Sequence, residues 1–263
     1  MTDRRIIDTH AHYDDEAFDE DRDSIIGAFE ENGIDFAVNV GASVQGTHAA
    51  VRLAHRYPRI YAAVGMHPDE AADLSEADME MLVRYSSEER VLAIGEIGLD
   101  YHSGEVPREL QKKWFIRQAE VARQVGLPVL IHSRDAAQDT MDLVKEHRMY
   151  ECGGVVHCYS YGTEQAREYL DMGLFFGIGG VLTFRNARKL KEVVEYLPMD
   201  AIVLETDCPY LAPEPFRGRR NSSLYLPYVA EKIAEIKNTE VQAVLEATHA
   251  NALRLYRKAG KTE

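Results

Sequence analysis

An α/β fold, the (β/α)8 TIM barrel in a single domain spanning residues 1–263, is expected for this chain on three grounds. Short apolar runs rich in β-branched residues recur along it. Helical stretches separate them. The length of 263 residues matches a barrel of about 250 with little left over. A doubly wound open sheet is the alternative, but no G-x-G-x-x-G or G-x-x-x-x-G-K-[ST] motif follows the first run.

The expected strands are residues 5–9, 36–40, 60–65, 91–97, 128–131, 154–156, 174–178 and 201–205. The segments between them carry helical signals. Ile25, Ile26 and Phe29 share a face, and Gly33 suits a C-cap. Val51, Ala54 and Tyr57 form the next face, which Pro58 ends. Pro107 suits a first helical turn, and Leu110, Trp114, Val121 and Val125 then run along one side until Gly126 and Pro128 stop the helix. Ala166, Tyr169 and Leu170 precede a second capping glycine, Gly173. Leu190, Val193, Val194 and Leu197 form a face closed by Pro198. The last helix carries Val241, Val244, Leu245, Thr248, Leu255 and Tyr256. Strands alternating with helices in this way pair in parallel with right-handed crossovers.

The chain holds 44 Asp and Glu against 30 Lys and Arg, a net charge of −14. Such an excess argues against a protein that grips nucleic acid through a broad basic surface, though a local basic strip stays compatible with it. Three cysteines, Cys152, Cys158 and Cys208, make no disulfide framework for a chain this long, so a reduced cytoplasmic protein is expected. There is no signal-peptide-like stretch and no run near the roughly 20 apolar residues that cross a bilayer, so no membrane partner is expected. A monomer is the default.

The chemistry lies where these strands end. Strand 1 closes in His10-Ala-His12, strand 3 runs into His67-Pro68, and strand 4 carries Glu96. Strand 5 closes in His132-Ser-Arg134, strand 6 in His157, and strand 8 in Glu205-Thr-Asp207. Barrel active sites lie at the C-terminal ends of the strands, so these groups converge on one mouth. Side chains at i and i+2 of a strand share a face, so His10 and His12 form a chelating pair. One strand-end histidine is usually incidental. Five of them with two or three carboxylates are not.

Six candidate ligands exceed what one ion takes from protein. Two divalent metal ions are therefore expected, bridged by Glu96. One would take His10, His12, Glu96 and Asp207, the other Glu96, His132 and His157. Zn, Ni, Mn, Fe, Co and Mg all suit this donor set. Glu96 and Asp207 are the expected catalytic residues, with Asp207 handling the nucleophilic water. Asp8 reads as an outer-shell partner. Glu205 reads equally as such a partner or as a core carboxylate. Arg134, Arg217, Arg219 and Arg220 are candidates for substrate phosphate. His67 is another, with loop capping before Pro68 as its alternative role. Cys158 and Cys208 neighbour ligands and, by strand alternation, should point away from the metals as small buried residues.

In these motifs the sequence resembles the TatD family of metal-dependent hydrolases, of the wider amidohydrolase-like group. The matching stretches include Ile7-Asp-Thr-His-Ala-His12, Ile94-Gly-Glu-Ile-Gly-Leu-Asp-Tyr101, Pro128-Val-Leu-Ile-His-Ser-Arg134 and Leu204-Glu-Thr-Asp-Cys-Pro-Tyr-Leu-Ala-Pro213, and the match spans essentially the whole chain. The resemblance implies a TIM-barrel hydrolase dependent on divalent metal, with deoxyribonuclease or 3′→5′ exonuclease activity on a single-stranded DNA or other nucleic-acid end. It places the family's ligands on the same six residues. Two other readings stand beside it: the same scaffold hydrolysing an aminoacyl ester or small phosphoester, and a metal-binding protein without turnover.

Overall fold

The computed structural model describes residues 5–102 and 104–259. Its strands are β1 (Ile6–Ala11), β2 (Ile34–Val40), β3 (Ile60–Val64), β4 (Val91–Asp100), β5 (Val129–Arg134), β6 (Gly154–Val156), β7 (Phe175–Ile178) and β8 (Ile202–Leu204). They form one parallel sheet in chain order, a nearly closed barrel with helices alternating around it. β1 meets β8 through a single bridge, Ala11 to Cys208, reinforced by the His12 amide on the Cys208 carbonyl at 2.8 Å and the Asp207 amide on the His10 carbonyl at 2.9 Å.

The helices are α1 (Arg22–Gly27), α2 (Val44–Arg56), α3 (Glu76–Ser86), α4 (Arg108–Val125), α5 (Ala137–Glu146), α6 (Thr163–Asp171), α7 (Arg188–Tyr196), α8 (Leu226–Lys237) and α9 (Val241–Leu255). Pro107 sits at the N-cap of α4, one residue earlier than expected, and Gly126 ends that helix at φ 71°. Helices α3, α5 and α8 are additions to the sequence expectation. The buried side of α5 is Thr140, Met141 and Val144, and α3 buries Met79, Met81 and Leu82, so neither shows a clean aliphatic period. The start of α8 carries proline in its first turn, a helix-start signal left unused in the sequence expectation.

Two apolar layers hold the barrel. One cluster draws on every strand, among them Ile7, Val38, Leu92, Leu130, Val155, Phe175 and Val203, and fills the lumen. Leu255 and Tyr256 plug it from α9, and the Tyr256 hydroxyl donates to the Thr9 carbonyl at 2.7 Å. The larger cluster packs the outer strand faces against the helices.

Buried polar side chains then set the strand ends. Gln111 and Gln118 of α4 lie two turns apart on one face. Gln118 accepts from the Met66 amide and donates to the Met66 carbonyl. Gln111 does the same for Asp100. One helix thus pins the ends of β3 and β4. Asp8 pins β1 to β8: its carboxylate accepts from the His10 amide, the Thr206 amide, the Thr206 hydroxyl and the Ser223 hydroxyl, at 2.6 to 3.2 Å.

Candidate metal centre

The strand-end groups do meet at one mouth. His10 and His12 face each other with their Nε2 atoms 3.2 Å apart. Asp207 Oδ1 lies 3.3 Å from His12 Nε2 and 3.9 Å from His10 Nε2. Glu96 sits between the two histidine sets. Its Oε2 is 3.6 Å from His10 Nε2, while its Oε1 is 2.6 Å from His132 Nδ1 and 3.2 Å from His157 Nε2. His10, His157 and Glu96 are buried, and His12, His132 and Asp207 are open enough to be reached from the mouth. Of the four groupings among the described residues that could hold an ion, His10–His12–Glu96 and Glu96–His132–His157 share one carboxylate, and His10–His157–Glu205 and His67–Asp100–His132 border them.

Local backbone makes this possible. The register slips between Asp8 and Ala11 in β1 and between Ile94 and Ile97 in β4, the stretches that carry His10 and Glu96. Asp207 adopts φ 56° and Cys158 φ 45°. Left-handed backbone at non-glycine residues is uncommon and clusters at functional sites. It also corrects one expectation. Cys158 follows β6 with left-handed backbone, so strand alternation does not apply to it; it is half-buried and lines a cavity beside Asp207. Cys208 is fully buried, as expected.

Electrostatics favour cations here. Burial opposes ionisation of Glu96, yet the surrounding His157, His132 and His10 hold its carboxyl well below the usual range. Burial also disfavours a charged His12, but Asp207 outweighs it and lifts the imidazole to about 9. His132 is lifted to about 9 in the same way, by Glu96 and Asp100 against burial. Paired imidazole nitrogens backed by buried carboxylates are a donor set that divalent transition metals fit. Protons on His12 and His132 must leave when an ion takes their lone pairs. Metal added to chelated protein at pH 7 is therefore expected to release protons, and apparent affinity should weaken as pH falls from 9 to 6. Proton release read with an indicator dye, alongside calorimetry at three pH values, checks both; affinity independent of pH would contradict them.

The outer groups divide. Glu205 Oε1 accepts from the Cys158 amide at 2.6 Å and lies 3.4 Å from His157 Nδ1, so it supports β6 and His157 together. Gly177 is required beneath it, since a Cβ there would stand 2.0 Å from Glu205 Oε2. Asp8 touches no ligand imidazole; it holds the backbone at His10 and Thr206. Asp100, to which sequence reasoning gave no role, accepts from His132 Nε2 at 3.0 Å. Its carboxyl is drawn down to about 2, because hydrogen bonds from His132 and the His102 amide outweigh burial. A carboxylate behind a ligand histidine fixes its tautomer and orientation.

His67 and Arg134 line the mouth, a cavity of about 550 Å3, with Asp14, Asp15 and Tyr210. His67 Nδ1 also caps the turn after it, accepting from the Asp69 amide, so its capping role is met. The basic loop after β8 does not line this cavity. Arg220 pairs bidentately with Asp21, Arg217 stacks over Phe184, and Arg219 is exposed.

A model of the TatD-related DNase family matches residues 7–257. The chain belongs to that family. It is 41% identical to the metal-dependent hydrolase YabD of Bacillus subtilis, over 96% of this chain and 99% of that protein. It is 30% identical to the 3′-5′ ssDNA/RNA exonuclease TatD of Salmonella typhimurium, over 91% and 94% of the two chains. Among solved structures, YJJV, a TatD homologue from Escherichia coli, superposes with a TM-score of 0.91 at 28% identity, covering 97% of this chain and 99% of that one. This TatD protein is a metal-dependent hydrolase. Among the described residues no helix is long and apolar enough to cross a membrane.

Proposed function

We propose that this TatD protein is a two-metal phosphodiesterase that removes nucleotides from the ends of single-stranded DNA, in the 3′→5′ sense. One observation carries the reading: each oxygen of Glu96 faces a separate histidine set. His10, His12, Glu96 and Asp207 would hold one divalent ion, and Glu96, His132 and His157 the other. Ions held there would polarise the phosphoryl oxygens and lower the pKa of bound water.

The protein's own groups do the rest. His12 and neighbouring histidines keep Asp207 ionised against burial, so its carboxylate orients the attacking water and accepts its proton. Arg134 and His67, on the mouth wall, contact the non-bridging phosphate oxygens. Asp100 keeps His132 oriented through Nε2. The −14 net charge fits an enzyme that takes in one strand end rather than gripping a duplex.

The test is digestion of 3′- and 5′-labelled single strands by chelated protein with Mg, Mn, Co, Ni or Zn restored in turn. The expected result is mononucleotide release from the 3′ end that vanishes on chelation and returns with metal. Turnover of esters with no cleavage of any strand would overturn the assignment.

A further inference from the structure

Beside the mouth lies a second cavity, of about 490 Å3, between the ends of β6, β7 and β8. Asp207 belongs to the walls of both. The segment after β8 forms the ridge between them: Tyr210 lines the mouth, and Leu211 lines the second cavity. The two cavities differ in chemistry. The mouth presents histidines and carboxylates, whereas the second is walled by Tyr159, Val181, Leu190 and Leu211, with Arg188 and Lys189 at its edge. Leu211 and Tyr210 are among the few large apolar side chains left exposed, at 36% and 56%. Both stand on this ridge.

We propose that this cavity is the subsite for the base of the nucleotide whose phosphate lies at Asp207. The inference rests on the phosphodiesterase reading above. A nucleobase has apolar faces and a polar edge, and such groups bind in mostly apolar concavities with a few polar groups at the margin. The space suits one base with its sugar. The shared Asp207 makes the cavity a direct neighbour of the mouth. Arg188 and Lys189 line the same cavity and offer cations to an anionic strand that enters beside it. Arg188 also pairs with Glu192 one turn along α7, which leaves the exposed Lys189 ammonium as the freer cation. The contacts are to a π-face and an apolar wall, so the subsite tolerates any base but not its absence.

The test compares 2′-deoxyadenosine 5′-monophosphate with 2-deoxyribose 5-phosphate, which lacks only the base. Calorimetric titration of the wild-type protein, with metal restored, should show the nucleotide binding at least ten times tighter. Val181→Trp fills the half-buried wall, and the difference should collapse to under threefold. Leu211→Asn removes the apolar ridge at a residue whose φ of 57° suits asparagine, and it should reduce the difference as well. Strands ending in an abasic nucleotide should show a KM raised by a similar factor. Equal binding of the two ligands by wild type, or a preference that survives in both variants, would overturn the subsite. Failure of the phosphodiesterase reading looks different: no strand is cleaved by wild type, whatever the two ligands do.

Discussion

Glu96→Ala is expected to lower metal-dependent hydrolysis by on the order of a thousandfold, the scale on which loss of one preorganised stabilising group acts. The reason is its double use. Both carboxylate oxygens face histidines, on opposite sides, so truncation removes a donor from each set at once. The loss should appear in bound metal as well as in rate. Elemental analysis after dialysis is the direct readout, with circular dichroism to establish that the variant is folded. Glu96→Gln, which keeps the volume but not the charge, separates the two effects: packing is retained and metal is still lost. A folded alanine variant that kept full activity and both ions would remove Glu96 from the centre.

Asp8→Ala is expected to cost about 3 kcal/mol of folding stability, because it strands several buried donors that each carry a desolvation penalty of about 1–3 kcal/mol. The Thr206 amide and hydroxyl and the Ser223 hydroxyl all donate to this carboxylate, and all are buried. Ser223 in turn hydrogen-bonds to Tyr13, so the disturbance reaches the outer core. In a chain of this size the melting temperature should fall by roughly 6–12 °C. The effect depends on pH with a definite sign. Burial pushes the Asp8 carboxyl up to about 7, despite the hydrogen bonds that favour its charge. Between about pH 4 and 7 the folded state therefore keeps a proton that the unfolded chain has lost, and stability falls as pH rises through that window. The gap between wild type and Asp8→Ala should narrow from pH 5 to pH 8. Urea titrations at the two pH values measure it; a gap that stayed constant would show Asp8 to be ionised throughout.

The meeting of the six candidate ligands at one mouth was legible because two local rules carry it. Alternation along β1 puts His10 and His12 on one face, and parallel strands bring Glu96, His132, His157 and Asp207 to the same rim. Asp100 was not legible. Its partner, His132, lies one strand over, and the pairing follows from the β4–β5 register, in which Gly98 stands beside His132 and Asp100 beside Arg134. Register across a slip in β4 cannot be read from periodicity. Arg220 shows what a long-range pairing adds. A basic loop after the last strand suggests phosphate; within the protein, Arg220 pairs with Asp21, 199 residues away in sequence. Cys158 was misread because left-handed backbone at a non-glycine residue has no sequence signature.

The seam between β1 and β8 bears on when the centre can come into existence. His10 and His12 are near the start of the chain, and Asp207 arrives only with the last strand, which docks against them through one bridge and a few amides. A nascent chain emerging from the ribosome, or one clipped before β8, holds the histidine pair without the carboxylate that completes it. Chain order thus acts as a timer. On the reading proposed above, no hydrolysis is expected before the ring has closed.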